Sequence, residues 1–448
     1  VNILIFISSA IFAQNWTLQK SLDYALKNHP LIKQSILEVQ KSDRNIAIAK
    51  GNLLPSVNAG INHNYSFGST IDPSTNSRKT LNTQYDQFRI SMPVELFNWK
   101  NYGEISLSKL NKESSEYRLK SAQNDISLNV IQQFFQYQYD KAWLEVLQTQ
   151  ISGIEEQIKR TEKEVEIGNR PKSDIYDIKA NLGTIKEQWI SAQNQKELSK
   201  NNLQNAISLL DDKIDFILSE ENPENILFNN EDFVQKLLDK NPLYQNAIKL
   251  NEIAKKSIEL AKSDYYPRLS GMYQWSTFFS KELGKEAAFQ FSEQFKQNKN
   301  NYVSFGLDVP IFNRFQTKNR VELAKLSEEN TSLEKDKIVL ELTKNLKTIE
   351  IQYRNAQQKY NALEENFENQ KLSFQKSEEK YKEGMMDAYT FFMVRNSWLQ
   401  ANYNLIKSGY DLMLQSELVK VYLKDWRRFQ QELKLIYRII NIWIMFFG

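Results

Sequence analysis

Two stretches, from about Trp99 to Ile167 and from about Arg314 to Glu383, contain no proline and almost no glycine, and the spacing of their apolar residues is helical. At 1.5 Å per residue a helix of roughly 70 residues extends about 100 Å. No compact globule built from 448 residues has an interior that long, so these segments predict a rod or a tube. The rest of the composition agrees. Only 13 Gly and 9 Pro interrupt the chain, and its mean hydropathy of -0.58 makes long helices amphipathic rather than uniformly apolar.

The chain also repeats itself. "HPLIKQSI" at His29–Ile36 returns as "NPLYQNAI" at Asn241–Ile248, 212 positions later (242 − 30 = 212). Leu26, Pro30, Leu31, Ile36, Ile46, Ala49, Lys50 and Pro55 recur at that offset as Leu238, Pro242, Leu243, Ile248, Ile258, Ala261, Lys262 and Pro267. An ungapped match of this length predicts an internal duplication. We divide the chain into a first repeat over 14–210, a linker over 211–232, a second repeat over 233–424 and a tail over 425–448. Residues 1–13 form an apolar run that reads as the hydrophobic part of a secretory signal, with cleavage after Ala13.

Within each repeat the period changes. After Pro55, Val57, Ala59, Ile61, His63, Tyr65 and Phe67 alternate with polar or small residues, the pattern of a strand with one greasy and one wet face. The corresponding segment after Pro267 places Leu269, Tyr273, Trp275 and Phe279 on one side. Returning strands run through Phe88–Val94 and Val303–Val309, each ending at a proline and an "LFN" or "IFN". The expected strand pairs are about 56–68 with 85–96, and about 268–280 with 301–312. The long helices then meet Gly168 and Gly384, each read as the tip of a helical hairpin. Four strands with a lipid-type face cannot close a barrel, and open edges are not tolerated in hydrocarbon. Pooling with copies is therefore required: two copies give eight strands and three give twelve, and only the wider ring leaves a passage.

Charge and reactive residues exclude other classes. A net charge of +3 with acids and bases interleaved gives no basic stripe for nucleic acid. Cysteine is absent and only His29 and His63 carry imidazole, so we expect no enzyme, no metal and no cofactor.

In order and duplication, "WTLQKSLDYALKNHPLIKQ", "LLP", "YYP", "LFN", "IFN", "EIGNRPKSD" and "YKEGMMDAYT" resemble the TolC-like outer membrane efflux proteins from Trp16 to about Lys424. The resemblance implies a mixed α/β membrane protein. It would be a homotrimer in the bacterial outer membrane, with a twelve-stranded barrel continued by a tube of twelve helices in the periplasm. It implies export of substrates delivered by an inner-membrane pump through a periplasmic adaptor. The competing reading is a periplasmic coiled-coil scaffold.

The family narrows its tube with a tyrosine three before the second glycine and an arginine two after it. These bond to the first hairpin, including an aspartate six after its glycine. Tyr381 and Asp174 match; the arginine position is Met386, so the charged latch is not expected. The family's entrance acids, six and nine after the second glycine, are Thr390 and Met393 here, whereas the same offsets on the first hairpin hold Asp174 and Asp177. The acidic constriction is therefore expected on the first hairpin. As first-turn acids, both residues also suit the helix dipole. Gly168 and Gly384 are expected to cap helices and to form the adaptor-docking tips. Tyr65, Phe67, Tyr273, Trp275 and Phe279 are expected to form an aromatic girdle against outer membrane lipid.

Overall fold

The computed structural model describes residues 14–71, 76–80, 82–209, 214–218, 238–287 and 289–423. The expected signal at 1–13, the tail at 425–448 and most of the expected linker lie outside these residues. The chain forms two compact units. One comprises residues up to Leu37, Tyr117–Gln245 and from Lys337 onward; the other comprises Glu38–Glu116 and Asn246–Asp336.

The first unit opens with β1 (Gln14–Trp16) and α1 (Leu18–Asn28). The sequence reads as one opening helix, but it breaks at His29, whose backbone is extended. The residue before a proline is sterically pushed out of the helical region, so α2 (Pro30–Gly51) starts afresh. Helix α3 (Trp99–Glu166) and helix α4 (Ser173–Ile207) form one hairpin. A short strand, β6 (Ile214–Phe216), falls inside the expected linker and pairs in parallel with β1. It was not foreseen, because three residues carry no readable period. Long-range contacts fix it instead. Gln138 Nε2 donates to the Phe216 carbonyl at 2.9 Å, and Lys141 Nζ lies 2.9 Å from the Asp215 carboxylate. Trp16, Ile32, Val130, Phe134, Leu203 and Phe216 form the core around it.

The second unit holds the sheet. Its strands are β2 (Asn58–Ser66), β5 (Thr83–Phe97), β7 (Arg268–Glu282) and β8 (Asn300–Asp308), all antiparallel in the order β2-β5-β7-β8. A small hairpin, β3 (Ser69–Ile71) with β4 (Arg78–Thr80), separates β2 from β5. Strand β8 stops at Asp308, earlier than expected, because Pro310 cannot donate to a ladder. Beyond it, Ile311 is 95% exposed. Helix α5 (Pro242–Ser263) leads into β7, and α6 (Phe291–Gln297) lies between β7 and β8. The second hairpin is α7 (Gln316–Lys382) with α8 (Ala388–Leu423), and from Lys337 onward it belongs to the first unit. Four expected strands and two long hairpins are thus present; β1, β3, β4, β6 and α6 are additions.

Candidate functional site

Register assembles one face of the sheet from all four strands. Ala59 sits opposite Ile90 and Ile90 opposite Trp275; Met92 pairs with Tyr273 and Tyr273 with Val303; Val94, Gly271 and Phe305 share the next row. Ile61, Val303, Phe305 and Leu307 are each more than 60% exposed. The opposite face carries Asn58, Asn62, Arg89, Ser91, Ser270, Gln274 and Ser304. So broad an apolar surface, left bare in the protomer, marks a membrane or protein contact. Tyr65, Phe67 and Tyr273 stay exposed, although Phe67 lies just past the end of β2. Trp275 and Phe279 lie under α6.

Helix α6 falls in a stretch that reads only as polar loop. Phe295 packs edge-on against Phe88 and tilted against Trp275, at 5.3 and 6.0 Å between ring centres, and Phe291 lies 5.4 Å from Phe279. Phe279 is consequently only 8% exposed. The helix also closes an edge. Strand β7 extends past the end of β8, and there Gln294 receives a hydrogen bond from Ser280 N and donates to Ser280 O, both at 3.0 Å. Asn298 Nδ2 donates to the Phe278 carbonyl at 2.9 Å. Two side-chain amides thus take the place of a neighbouring strand. The i,i+4 spacing of Phe291 with Phe295, and of Gln294 with Asn298, is the signal that could have revealed it.

The hairpin tips share one geometry. Gly168 and Gly384 have φ of +80° and +74°, in the left-handed region where a Cβ is strained. Asn169 N donates to Glu164 O, and Met385 N to Lys380 O, each at 2.8 Å. These are the six-to-one bonds that end a helix in a Schellman motif. Asp387 caps α8 by accepting from Thr390 N at 2.8 Å, and the hydrogen bonds from Thr390 hold its carboxyl below the ordinary carboxylate range.

Arg170, two residues past Gly168, is the residue that sequence reasoning missed. Its guanidinium lies 3.9 Å from the Tyr381 ring centre, donates to the Tyr381 carbonyl and reaches Asp174 Oδ2 at 3.3 Å and Glu164 Oε2 at 2.6 Å. Its side chain is 9% exposed. A cation on an aromatic face and two carboxylates together offset the cost of burying it. The charged contact expected to be absent with Met386 is therefore made from the first hairpin, by a residue at the equivalent offset from its glycine. Met386 packs instead against the apolar core of Ile154, Ile158, Ile178, Tyr381 and Phe391. Asp174 is buried beside Arg170, whereas Asp177, one helical turn on, is exposed. Burial pushes the Tyr381 hydroxyl up from its ordinary pKa, opposed by the Arg170 charge. Higher in the same core, Arg395 is 5% exposed and donates to Gln150 at 2.8 Å.

A family profile described as "Outer membrane efflux protein" matches residues 22–208 and again 233–419. The chain belongs to the outer membrane efflux protein family. It is accordingly an outer membrane protein of a channel family, and the apolar face of the sheet is the surface suited to that membrane. A curated relative, the alkaline protease secretion protein AprF of Pseudomonas aeruginosa, is 20% identical over 298 residues, covering 65% of this chain and 60% of its own length. The chain thus spans less than two thirds of that relative. Among solved structures it is similar to CusC, with a TM-score of 0.78, 14% identity and coverage of 92% of this chain and 93% of the other. It is also similar to the Campylobacter jejuni CmeC outer membrane channel, with a TM-score of 0.73, 17% identity and coverage of 93% and 88%. At these identities the likeness speaks for the fold. No described helix is long and apolar enough to cross a membrane.

Proposed function

We propose that the protein is a passive exit duct for efflux or secretion, assembled as a homotrimer, working with a periplasmic adaptor and an inner-membrane pump. The observation that carries this reading is the sheet. Its order leaves β2 and β8 as edges, and β2 runs antiparallel to the β8 of a neighbouring copy when an even number of strands per chain continues around a ring. Three copies of a four-stranded sheet make a twelve-stranded closed barrel with its apolar face outward and its polar face lining the lumen. Leu326, Leu333 and Leu340, spaced by seven along α7, are each more than 60% exposed. A heptad stripe of this kind calls for a partner helix, which the neighbouring copies supply in a twelve-helix tube. Internal duplication supplies the two equivalent hairpins per chain. The scaffold alternative leaves the greasy face of the sheet without a use.

At the inner end, Gly168 and Gly384 place the tips that meet the adaptor. Tyr381, Arg170 and Asp174 hold the two hairpins of one chain together, and Asp177 lines the constriction. The exposed members of the girdle, Tyr65, Phe67 and Tyr273, lie at the lipid boundary. Light scattering in detergent checks the assembly: a particle of three protein masses is expected, and a stable monomer that retains its strand signal would overturn the reading.

A further inference from the structure

Duplication in the sequence is matched by duplication in strand pairing. Strand β7 repeats β2 at the offset of 212, and β8 repeats β5 at 215, the distance from "LFN" to "IFN" (311 − 96 = 215). Applied to β2 with β5, these two offsets return the observed register of β7 with β8. Asn58 opposite Ser91 becomes Ser270 opposite Gly306, and Ile61 opposite Phe88 becomes Tyr273 opposite Val303. Strand β5 also pairs with β7 along its other edge. Its repeat, β8, has that edge bare, and so has β2, the repeat of β7. The strand that completes the pattern is the β2 of another copy. The same offsets turn the β5–β7 register into one for this seam. Met92 opposite Tyr273 becomes Leu307 opposite Ile61 of the neighbouring copy, and Phe88 opposite Thr277 becomes Val303 opposite its Tyr65.

On the polar face, Pro93 opposite Met272 becomes Asp308 opposite Gly60 of the neighbour. Gly60 in turn stands opposite Arg89 of its own chain. The Arg89 guanidinium lies over this glycine, with Nη2 3.8 Å from where a Cβ would stand. Arg89 is exposed, and its side chain has no hydrogen bond or ion pair among the described residues. Asp308 is 66% exposed and accepts from Arg268 Nη2 through Oδ2 at 2.7 Å; a carboxylate has room for a further donor. Two strand spacings, about 10 Å, separate the two backbones, a gap that an arginine and an aspartate side chain together span. We propose that Arg89 of one copy pairs with Asp308 of the next across Gly60, and that this ion pair pins the seam at the register of Leu307 with Ile61. Side chains alternate with a period of two, so a slip by two residues keeps every one on its own face. Apolar alternation therefore does not choose among such registers, whereas the ion pair is met in only one of them. The inference rests on the barrel reading above and names the residues that join its copies.

Absence of natural cysteine lets paired cysteines in the full chain report the seam. Residues directly opposite have Cα atoms about 4.5–5.5 Å apart, and a disulfide does not bridge Cα atoms more than about 7 Å apart. Ile61→Cys with Leu307→Cys is expected to give covalent trimers on a non-reducing gel. His63→Cys with Leu307→Cys, and Ala59→Cys with Leu307→Cys, are two residues off on either side and are expected to give several-fold less product. Tyr65→Cys with Val303→Cys reads the same register if the first pair fails to assemble. Separately, Arg89→Gln and Asp308→Asn are each expected to lower by several degrees the temperature at which trimers dissociate on a gel. The double variant is expected to lose no more than Asp308→Asn alone. Additive losses, or an Arg89→Gln trimer as heat-resistant as the natural one, overturn the ion pair. Cross-links favouring an offset pair overturn the register and leave the barrel standing. Monomers without product from any pair overturn the barrel reading itself.

Discussion

Arg170 joins chain positions 211 residues apart, donating to the carbonyl of Tyr381 while its charge is met by Glu164 and Asp174. Removing it leaves Asp174, a buried carboxylate, beside an aromatic ring with no cation, and a hydrogen bond to a charged group contributes about 1.5–3 kcal/mol. Arg170→Ala is therefore expected to loosen the tips, raising the resting conductance of single channels, with Arg170→Lys intermediate because a point charge cannot reproduce the planar fork. Unchanged conductance in both variants would assign the cluster to folding alone. A second residue carries a pH dependence. Asp140 is 4% exposed, and burial raises its carboxyl above 3.8 despite a hydrogen bond from Gln136. A raised folded pKa means the native state holds the proton more tightly. Asp140's favourable contribution is thus full below 3.8 and is lost as pH rises through the raised value. Thermal unfolding followed upward from pH 4 is expected to show this decline in the natural chain and a flatter profile in Asp140→Asn.

At the scale of elements, the helix ends and the sheet edge are closed by different means. Tip helices close on themselves through glycine and backbone bonds, so their geometry depends on few side chains. The upper edge of β7 depends on two side-chain amides, Gln294 at Ser280 and Asn298 at Phe278. Gln294→Ala leaves both backbone polar groups of Ser280 without these partners, a cost of about 1–3 kcal/mol for each such group when buried. It also frees a strand edge. The variant is expected to lose heat resistance on a detergent gel and to aggregate on warming, while Glu293→Ala, on the exposed side of the same helix, behaves as the natural chain. Equal behaviour of the two would mean that β7 needs no edge closure.

For the whole molecule, assembly decides what the acids do. In one chain Asp174 is matched by Arg170, whereas Asp177 is exposed and carries no such pair. In the proposed trimer three copies of each stand at the narrow end of the tube, where confined fields add. Asp177→Asn is expected to lower cation preference, read as a smaller reversal potential across a salt gradient, and Asp174→Asn to lower it less. An unshifted potential in the double variant would leave both as first-turn helix acids.

Much of this was legible in the chain. Strand periods, proline boundaries, tip glycines and the repeat are local patterns, and local patterns survive in a linear text because the backbone imposes their spacing. Tyr381 and Asp174 could be singled out by the family resemblance, whose motif counts both from a glycine. Other features could not. Arg170 reads as an ordinary loop cation until the fold brings Tyr381 under it. Helix α6 reads as a polar insertion until β7 outruns β8 and offers a bare edge and a greasy row. Strand β6 exists only because β1, from the far end of the repeat, lies alongside. The sequence determined which elements form and where they stop; tertiary structure decided which charges meet and which edges are covered, because those energies arise between groups that the chain itself does not set side by side.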